Sequence, residues 1–270
     1  MTSNFLRGTL GSTGLSVQRV GLAASYRPGK KAIYRAIDEG ISYLFYFGFD
    51  AQMTGVLRDV LKTNRERYVV ATGAYNYIWW SQDIRRTLEK RLRQLRTDYI
   101  DVFHYLGVMK PGQFAGKVKD ELQALREDPR VRAVSISCHD RKYAGKLAAE
   151  GALDALMIRY NAAHRGAEQD IFPHLAAHKP GLVSYTATRW TYLLRRPRGW
   201  PKNGRVPTGG MCYRFVLSNP NVDVCLMAPR SERELRENLA AVRQGPLDEE
   251  EMKFMREFGD AVHKEYKWFM

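Results

Sequence analysis

The sequence predicts a closed (β/α)8 TIM barrel of the α/β class, with an N-terminal β-hairpin and an extra C-terminal helix. Three observations predict it. A short apolar strand followed by an amphipathic helix recurs through the 270 residues, giving eight strands. That length suits one parallel barrel domain spanning 1–270, since such barrels take about 250 residues. No Gly-x-Gly-x-x-Gly run opens the first helix, which weighs against the competing doubly wound open sheet.

Residues 5–17 read as two short strands around a Gly-Ser-Thr-Gly turn, a hairpin signal. Residues 19–25 form a short buried strand. The helix over 30–39 follows, with Ala32, Ile33, Ala36 and Ile37 on one face and Gly40 at its end. Further strands are predicted at 41–47, 68–74, 99–106, 131–138, 153–160, 181–187 and 222–228. Helical periodicity marks 81–95, with Ile84, Leu88, Leu92 and Leu95 on one stripe, and then 114–126, 144–150, 168–177 and 211–217. Ser231 with Glu234 makes a capping pair for a helix over 232–243, and an acidic first turn starts a last helix over 248–266. The longest helix-poor stretch, 190–207, follows the seventh strand, where barrel loops bind substrates and phosphates.

Composition narrows the class. Hydrophobic residues at 44% supply a core, and charged residues at 27% argue against disorder. No apolar run approaches the ~20 residues of a membrane span. Residues 1–7 do not read as a secretory leader. Cys138, Cys212 and Cys225 are odd in number and lack metal-ligand spacing, so a reducing, cytoplasmic setting without disulfides or metal is expected. Net charge is +14, with arginine dispersed over most helices and densest at Arg195, Arg196, Arg198, Lys202 and Arg205. Such charge suits phosphate-bearing partners. A nucleic-acid-binding reading follows from it, but no RNA- or DNA-reading motif accompanies the charge.

Several segments carry a resemblance in the correct order. They are Leu10-Gly-Ser-Thr-Gly-Leu-Ser-Val-Gln-Arg-Val-Gly-Leu22, Tyr99-Ile-Asp-Val-Phe-His104, Val131-Arg-Ala-Val-Ser-Ile-Ser137, Arg159-Tyr-Asn-Ala-Ala-His-Arg165 and Arg230-Ser-Glu-Arg-Glu-Leu-Arg-Glu-Asn238. Together they resemble the aldo-keto reductases over residues 6–245. The resemblance implies a nicotinamide cofactor across the barrel mouth, usually NADP and otherwise NAD. It assigns Arg230 and Ser231 to a 2′-phosphate, and Glu237 and Asn238 to the adenine. It assigns Tyr185 to stacking on the nicotinamide, and Thr186, Thr188 and Arg189 to the pyrophosphate. A helix N-terminus with free N–H groups at Ser231 suits an anion. Ser231 and Glu234 also make an ordinary cap, and Tyr185 also suits a plain core position.

The family's proton relay is a Tyr tuned by a Lys–Asp pair, with a His on the carbonyl oxygen. The resemblance places Phe45 at the Asp position, Asp50 near the Tyr position, Gly73 at the Lys position and Leu106 at the His position. Cys138 and Met157 replace the Asn and Gln expected on the carboxamide side. A relocated acid is one reading, drawn from Tyr75 or Tyr46 with His104 or His139. The other is an interior histidine beneath an aromatic mouth of Tyr43, Phe45, Phe47, Tyr75, Tyr77, Trp79 and Trp80. Nothing marks Cys138 as a nucleophile. Two function classes therefore stay open. One is an oxidoreductase with rebuilt chemistry acting on a small carbonyl or aromatic molecule. The other is a non-catalytic barrel that senses NADP(H) or serves a protein partner.

Overall fold

The computed structural model describes residues 5–77 and 80–266. Residues 1–4, and Trp79 in the predicted aromatic mouth, lie outside the described residues. Strands β1 (Arg7–Thr9) and β2 (Ser16–Gln18) pair antiparallel as the expected hairpin. Eight parallel strands then close into a barrel: β3 (Val20–Ala23), β4 (Tyr43–Phe45), β5 (Val69–Tyr75), β6 (Ile100–Val108), β7 (Val131–Cys138), β8 (Ala155–Arg159), β9 (Gly181–Tyr185) and β10 (Val224–Met227). Closure comes from β10 pairing with β3, Cys225 opposite Val20 and Met227 opposite Leu22.

Alternation along each strand divides the apolar residues into two cores. Outward residues such as Leu44, Val70, Phe103, Ile136 and Leu156 pack beneath the helices. Inward residues such as Tyr43, Phe45, Ala71, Val102, Ala133, Met157 and Val183 fill the lumen. Leu10 and Val17 of the hairpin belong to the lumen cluster and close its lower end.

The helices are α1 (Lys30–Asp38), α2 (Ala51–Asn64), α3 (Ile84–Leu95), α4 (Lys117–Ala124), α5 (Arg141–Ala149), α6 (Ala167–Asp170), α7 (Gly209–Leu217), α8 (Glu232–Val242) and α9 (Glu249–Glu265). Helix α2 is absent from the periodicity reading, although Met53, Val56, Leu57 and Leu61 mark its buried face and Asp50 caps it. The predicted helix over 168–177 is broken. Only α6 is α-helical, and a 3-10 turn covers Phe172–His174. Pro173 is the reason, because it donates no backbone hydrogen bond and crowds the preceding turn. No helix among the described residues is long and apolar enough to cross a membrane.

One buried arginine ties the last helix to the barrel. Arg214 on α7 grips both carboxylate oxygens of Glu251 on α9 at 2.8 Å. It also donates to the Gly245 carbonyl at 2.9 Å and the Pro246 carbonyl at 2.8 Å. Removing one partner of a buried ion pair strands the other and typically costs about 3 kcal/mol or more. Arg214→Ala is therefore expected to lower unfolding free energy by about 3 kcal/mol, read from urea midpoints. A loss below about 1 kcal/mol would show that α9 is held by its apolar face alone.

Candidate functional site

The C-terminal ends of the strands surround a cavity of about 460 Å3. This lies within the roughly 300–1,000 Å3 of ordinary small-molecule pockets. Phe45 and Phe47 from the β4 end, Tyr75 from β5, Leu106 from β6, Met157 from β8, Tyr185 from β9 and Leu226 from β10 form much of its wall. Ser137 and His139 from the end of β7 add polar atoms. Among the described lining residues there is no Asp, Glu, Lys or Arg.

Rings continue from the cavity to the rim. Phe45 meets Phe47 at 4.9 Å, Phe47 meets Phe49 at 5.7 Å, and Phe49 meets Tyr75 at 6.4 Å. Tyr75 stacks on Tyr77 at 5.7 Å, and Tyr77 meets Trp80 at 4.5 Å. The aromatic mouth is thus present in Phe45, Phe47, Tyr75, Tyr77 and Trp80. Tyr43, one inward position deeper than Phe45, is fully buried in the lumen.

The four acid candidates separate. Tyr75 lines the cavity, and its buried hydroxyl has no hydrogen-bond partner among the described residues. Burial pushes its pKa up, against the opposing pull of Arg91. His139 also lines the cavity, and its Nε2 lies 3.4 Å from the Tyr185 hydroxyl. Burial likewise raises the Tyr185 pKa. Tyr46 points outward and meets Thr54 Oγ1 at 2.8 Å, behind the barrel wall. His104 is fully buried against Phe45, ring centroids 5.7 Å apart, and is not among the lining residues. Neither of its ring nitrogens has a hydrogen-bond partner among the described residues, and burial lowers its pKa to about 3. Cys138 donates to the Asp140 carbonyl at 3.2 Å, and burial pushes its thiol up to about 12, which leaves it an inert thiol.

The residues expected to hold a dinucleotide fall into two groups. Tyr185, Thr186 and Thr188 line the cavity. The chain there is contorted, with positive φ at Thr186, Arg189, Trp190 and Thr191. Positive φ in non-glycine residues stores strain that clusters at ligand clamps and active sites. Arg189 is buried and turns away from the cavity, donating to His164 Nε2 at 2.7 Å and to the Tyr266 carbonyl. The second group sits at the start of α8. Ser231 accepts from the Glu234 N–H at 3.2 Å, and the Arg230 guanidinium lies over the Tyr26 ring at 5.2 Å. Glu237 is exposed and 3.7 Å from Arg233. Asn238 is 4% exposed, and its amide nitrogen has no hydrogen-bond partner among the described residues.

A charged side chain that the sequence reading passes over is Arg159. It occupies the third inward position of β8 after Ala155 and Met157, opposite Tyr185 in register. Counting the alternation one step further along Ala-Leu-Met-Ile-Arg would have found it.

A family model described as the aldo/keto reductase family matches residues 30–199 of the chain. The chain belongs to the aldo/keto reductase family. It is also 22% identical to the uncharacterized oxidoreductase YqkF of Bacillus subtilis (strain 168) over 297 aligned positions, covering 92% of this chain and 94% of the relative. Among solved structures, aldo-keto reductase AKR11C1 from Bacillus halodurans superposes in its holo form with a TM-score of 0.74 at 18% identity. That match covers 93% of this chain and 95% of the other. Its apo form gives 0.72 at 20% identity with the same coverage. At such identity these structures speak to the fold alone.

Phe45, Asp50, Gly73 and Leu106, which the sequence reading expects at the positions of the reductase relay, are placed as follows. Phe45 and Leu106 line the cavity. The Asp50 carboxylate caps α2, accepting from the Gln52 N–H at 2.9 Å and the Met53 N–H at 3.3 Å. At Gly73 a Cβ would lie 2.0 Å from the His104 carbonyl oxygen, so any side chain there requires β6 to move.

The unprotonated His104 has a consequence for stability. Its folded pKa lies below the unfolded value, so the unfolded chain takes up the proton first. Stability is complete above about pH 6.5 and falls as pH drops towards 3. Between pH 7 and pH 5 the natural sequence is expected to lose about 2 kcal/mol more unfolding free energy than His104→Leu. Equal losses in urea melts would mean that the imidazole is protonated inside the barrel.

Proposed function

We propose that this barrel holds a nicotinamide dinucleotide, NADP first and NAD second, together with a small carbonyl or aromatic molecule at its mouth. In the same reading it has lost the carbonyl reduction typical of its family. What supports the second half is a cavity wall without a carboxylate or ammonium among its described residues, together with Phe45, Gly73 and Leu106 where the resemblance expects the relay.

The donor set supports a dinucleotide. The buried, unpartnered Asn238 amide and the capped N-terminus of α8 at Ser231 are suited to the adenosine end, with Arg230 beside them for a 2′-phosphate. Glu237 would share the adenine. Tyr185 offers a ring face to the nicotinamide, and Thr186 and Thr188 offer hydroxyls to the pyrophosphate. Arg189, engaged with His164 and Tyr266, leaves that group. When bound, the reduced cofactor supplies a hydride.

The side chains of the mouth do little to move a proton. Carbonyl reduction needs an acid whose pKa is brought towards the working pH. Burial moves Tyr75 and Tyr185 the other way, so both keep their protons and serve as hydrogen-bond donors. Phe45, Phe47, Leu106 and Met157 exclude water and give flat apolar surface. A barrel of this kind reports on NADP(H) or on the molecule held beside it.

Titration with NADPH is expected to quench tryptophan fluorescence saturably below millimolar cofactor, and a panel of aldehydes and ketones is expected to leave NADPH unconsumed. No saturable change at millimolar NADPH would remove the cofactor. One observation favours a rebuilt enzyme instead, the 3.4 Å approach of His139 to the Tyr185 hydroxyl. Carbonyl-dependent turnover abolished in Tyr185→Phe or His139→Ala would establish that reading, and turnover lost in Tyr75→Phe would place the donor on β5.

A further inference from the structure

The large apolar side chains that stand exposed are gathered at one end of the barrel. Among the described residues they are Tyr26, Phe49, Tyr77, Trp80, Met109 and Trp190, joined by Tyr266 at the end of α9. Tyr26 follows β3, Phe49 follows β4, Tyr77 and Trp80 follow β5, Met109 follows β6 and Trp190 follows β9. In a parallel barrel these loops all leave the same end, so the six side chains stand around the cavity mouth. Tyr266 meets Tyr192 of the loop after β9 at 4.5 Å. Phe49 is 74% exposed and Trp80 58%. Single exposed hydrophobics scattered over a surface are ordinary, but a set confined to one rim marks an interaction surface. We propose that this rim rests on the surface of an anionic lipid bilayer, with its rings among the headgroups and the mouth facing the membrane. The proposal goes beyond the functional reading and does not depend on a bound dinucleotide.

Charge selects the partner. The loops that lead from the barrel strands to the next helix contain three acidic residues, Asp50, Asp83 and Asp140. Each turns its carboxylate to the backbone N–H groups of the helix it precedes. The same loops hold Arg27, Lys110, Arg195 and Arg196, all exposed and without an ion pair among the described residues. The opposite end differs. There Glu39 meets Arg243, Asp101 meets Arg65, Asp128 meets Arg130 and Asp154 meets Arg126. Carboxylates at the base thus neutralise arginines, whereas those at the mouth are committed to helix caps. A cation held beside an anionic leaflet strengthens partitioning about fivefold.

Ring geometry separates a bilayer from a single-stranded nucleic acid, the other partner that basic aromatic surfaces take. A base needs an open ring face. Tyr77 is stacked on Tyr75 at 5.7 Å and meets Trp80 at 4.5 Å. Phe49 meets Phe47 at 5.7 Å and Tyr75 at 6.4 Å. These rings pack on one another, and the rim side chains come from separate loops around a closed end rather than along a groove. Aromatic side chains in one plane beside cations are what a membrane interface accepts.

The test is co-sedimentation of the full chain with vesicles, phosphatidylcholine alone against phosphatidylcholine with about 30% phosphatidylserine. The anionic vesicles are expected to bind at least about tenfold more tightly at physiological salt. Phe49→Ser combined with Trp80→Ser is expected to weaken that binding about tenfold, because two exposed rings no longer enter the headgroup layer. Lys110→Gln is expected to weaken it about fivefold, while Lys62→Gln, in the last turn of α2 at the base, stays within about twofold. Absent or equal binding of the natural sequence to the two vesicles overturns the proposal without any variant. So does a Lys62→Gln loss as large as that of Lys110→Gln, or a ring variant that binds undiminished, since either result means diffuse attraction by net charge. A single-stranded oligonucleotide that binds through Phe49 and Trp80 while the vesicles do not would assign the rim to nucleic acid.

Discussion

A closed parallel barrel gives its inward side chains one place to go, and the rest of this molecule follows from that constraint. Pairing of β10 with β3 removes both sheet edges and commits alternate residues of eight strands to a shared lumen. The lumen is filled from below by Leu10 and Val17 and in the middle by Tyr43, Ala71, Val102 and Ala133. What remains open is the upper end. The chemistry of the site is therefore the chemistry of whichever residues fall on the last inward positions.

Those positions are dominated by rings and aliphatic side chains. The backbone reinforces the choice at Gly73, where the His104 carbonyl occupies the space that a Cβ needs. A side chain at that point would demand a rearranged strand β6, so strand spacing itself favours glycine there. His104 fits the same pattern. Sealed beneath Phe45 and Leu106, it is held neutral by burial and sits apart from the cavity. Charge is concentrated one step to the side, where β8 and α5 bring Arg159 and Arg141 to the neighbouring cavity. Two cavities thus lie side by side, one with apolar and aromatic walls and one with basic lining residues, sharing His139.

Much of the fold was legible in the residues, and the exceptions have identifiable causes. The seventh barrel strand, Gly181–Tyr185, begins where the apolar run begins and ends near the predicted limit. The break after α6 was visible as Pro173 inside an otherwise periodic segment. Helix α2 is harder to read because Thr54, Gly55 and Thr63 are weak helix formers set among its buried Met53, Val56, Leu57 and Leu61. In the site, alternation alone put Tyr75 and Leu106 on the lumen side. The approach of His139 to Tyr185 joins residues 46 apart in sequence, and no local pattern encodes that distance.

The sequence by itself determined the barrel, its family and the apolar character of the inward positions at Phe45 and Leu106, because periodicity of two or 3.6 residues and residue identity are local properties. Only the tertiary structure decided which polar groups share a wall. It turned Tyr46 outward to Thr54, buried His104 out of reach, drew Arg189 to His164 and set Arg159 beside the mouth. Those outcomes depend on strand register, loop conformation and burial, which arise when distant segments pack and displace water.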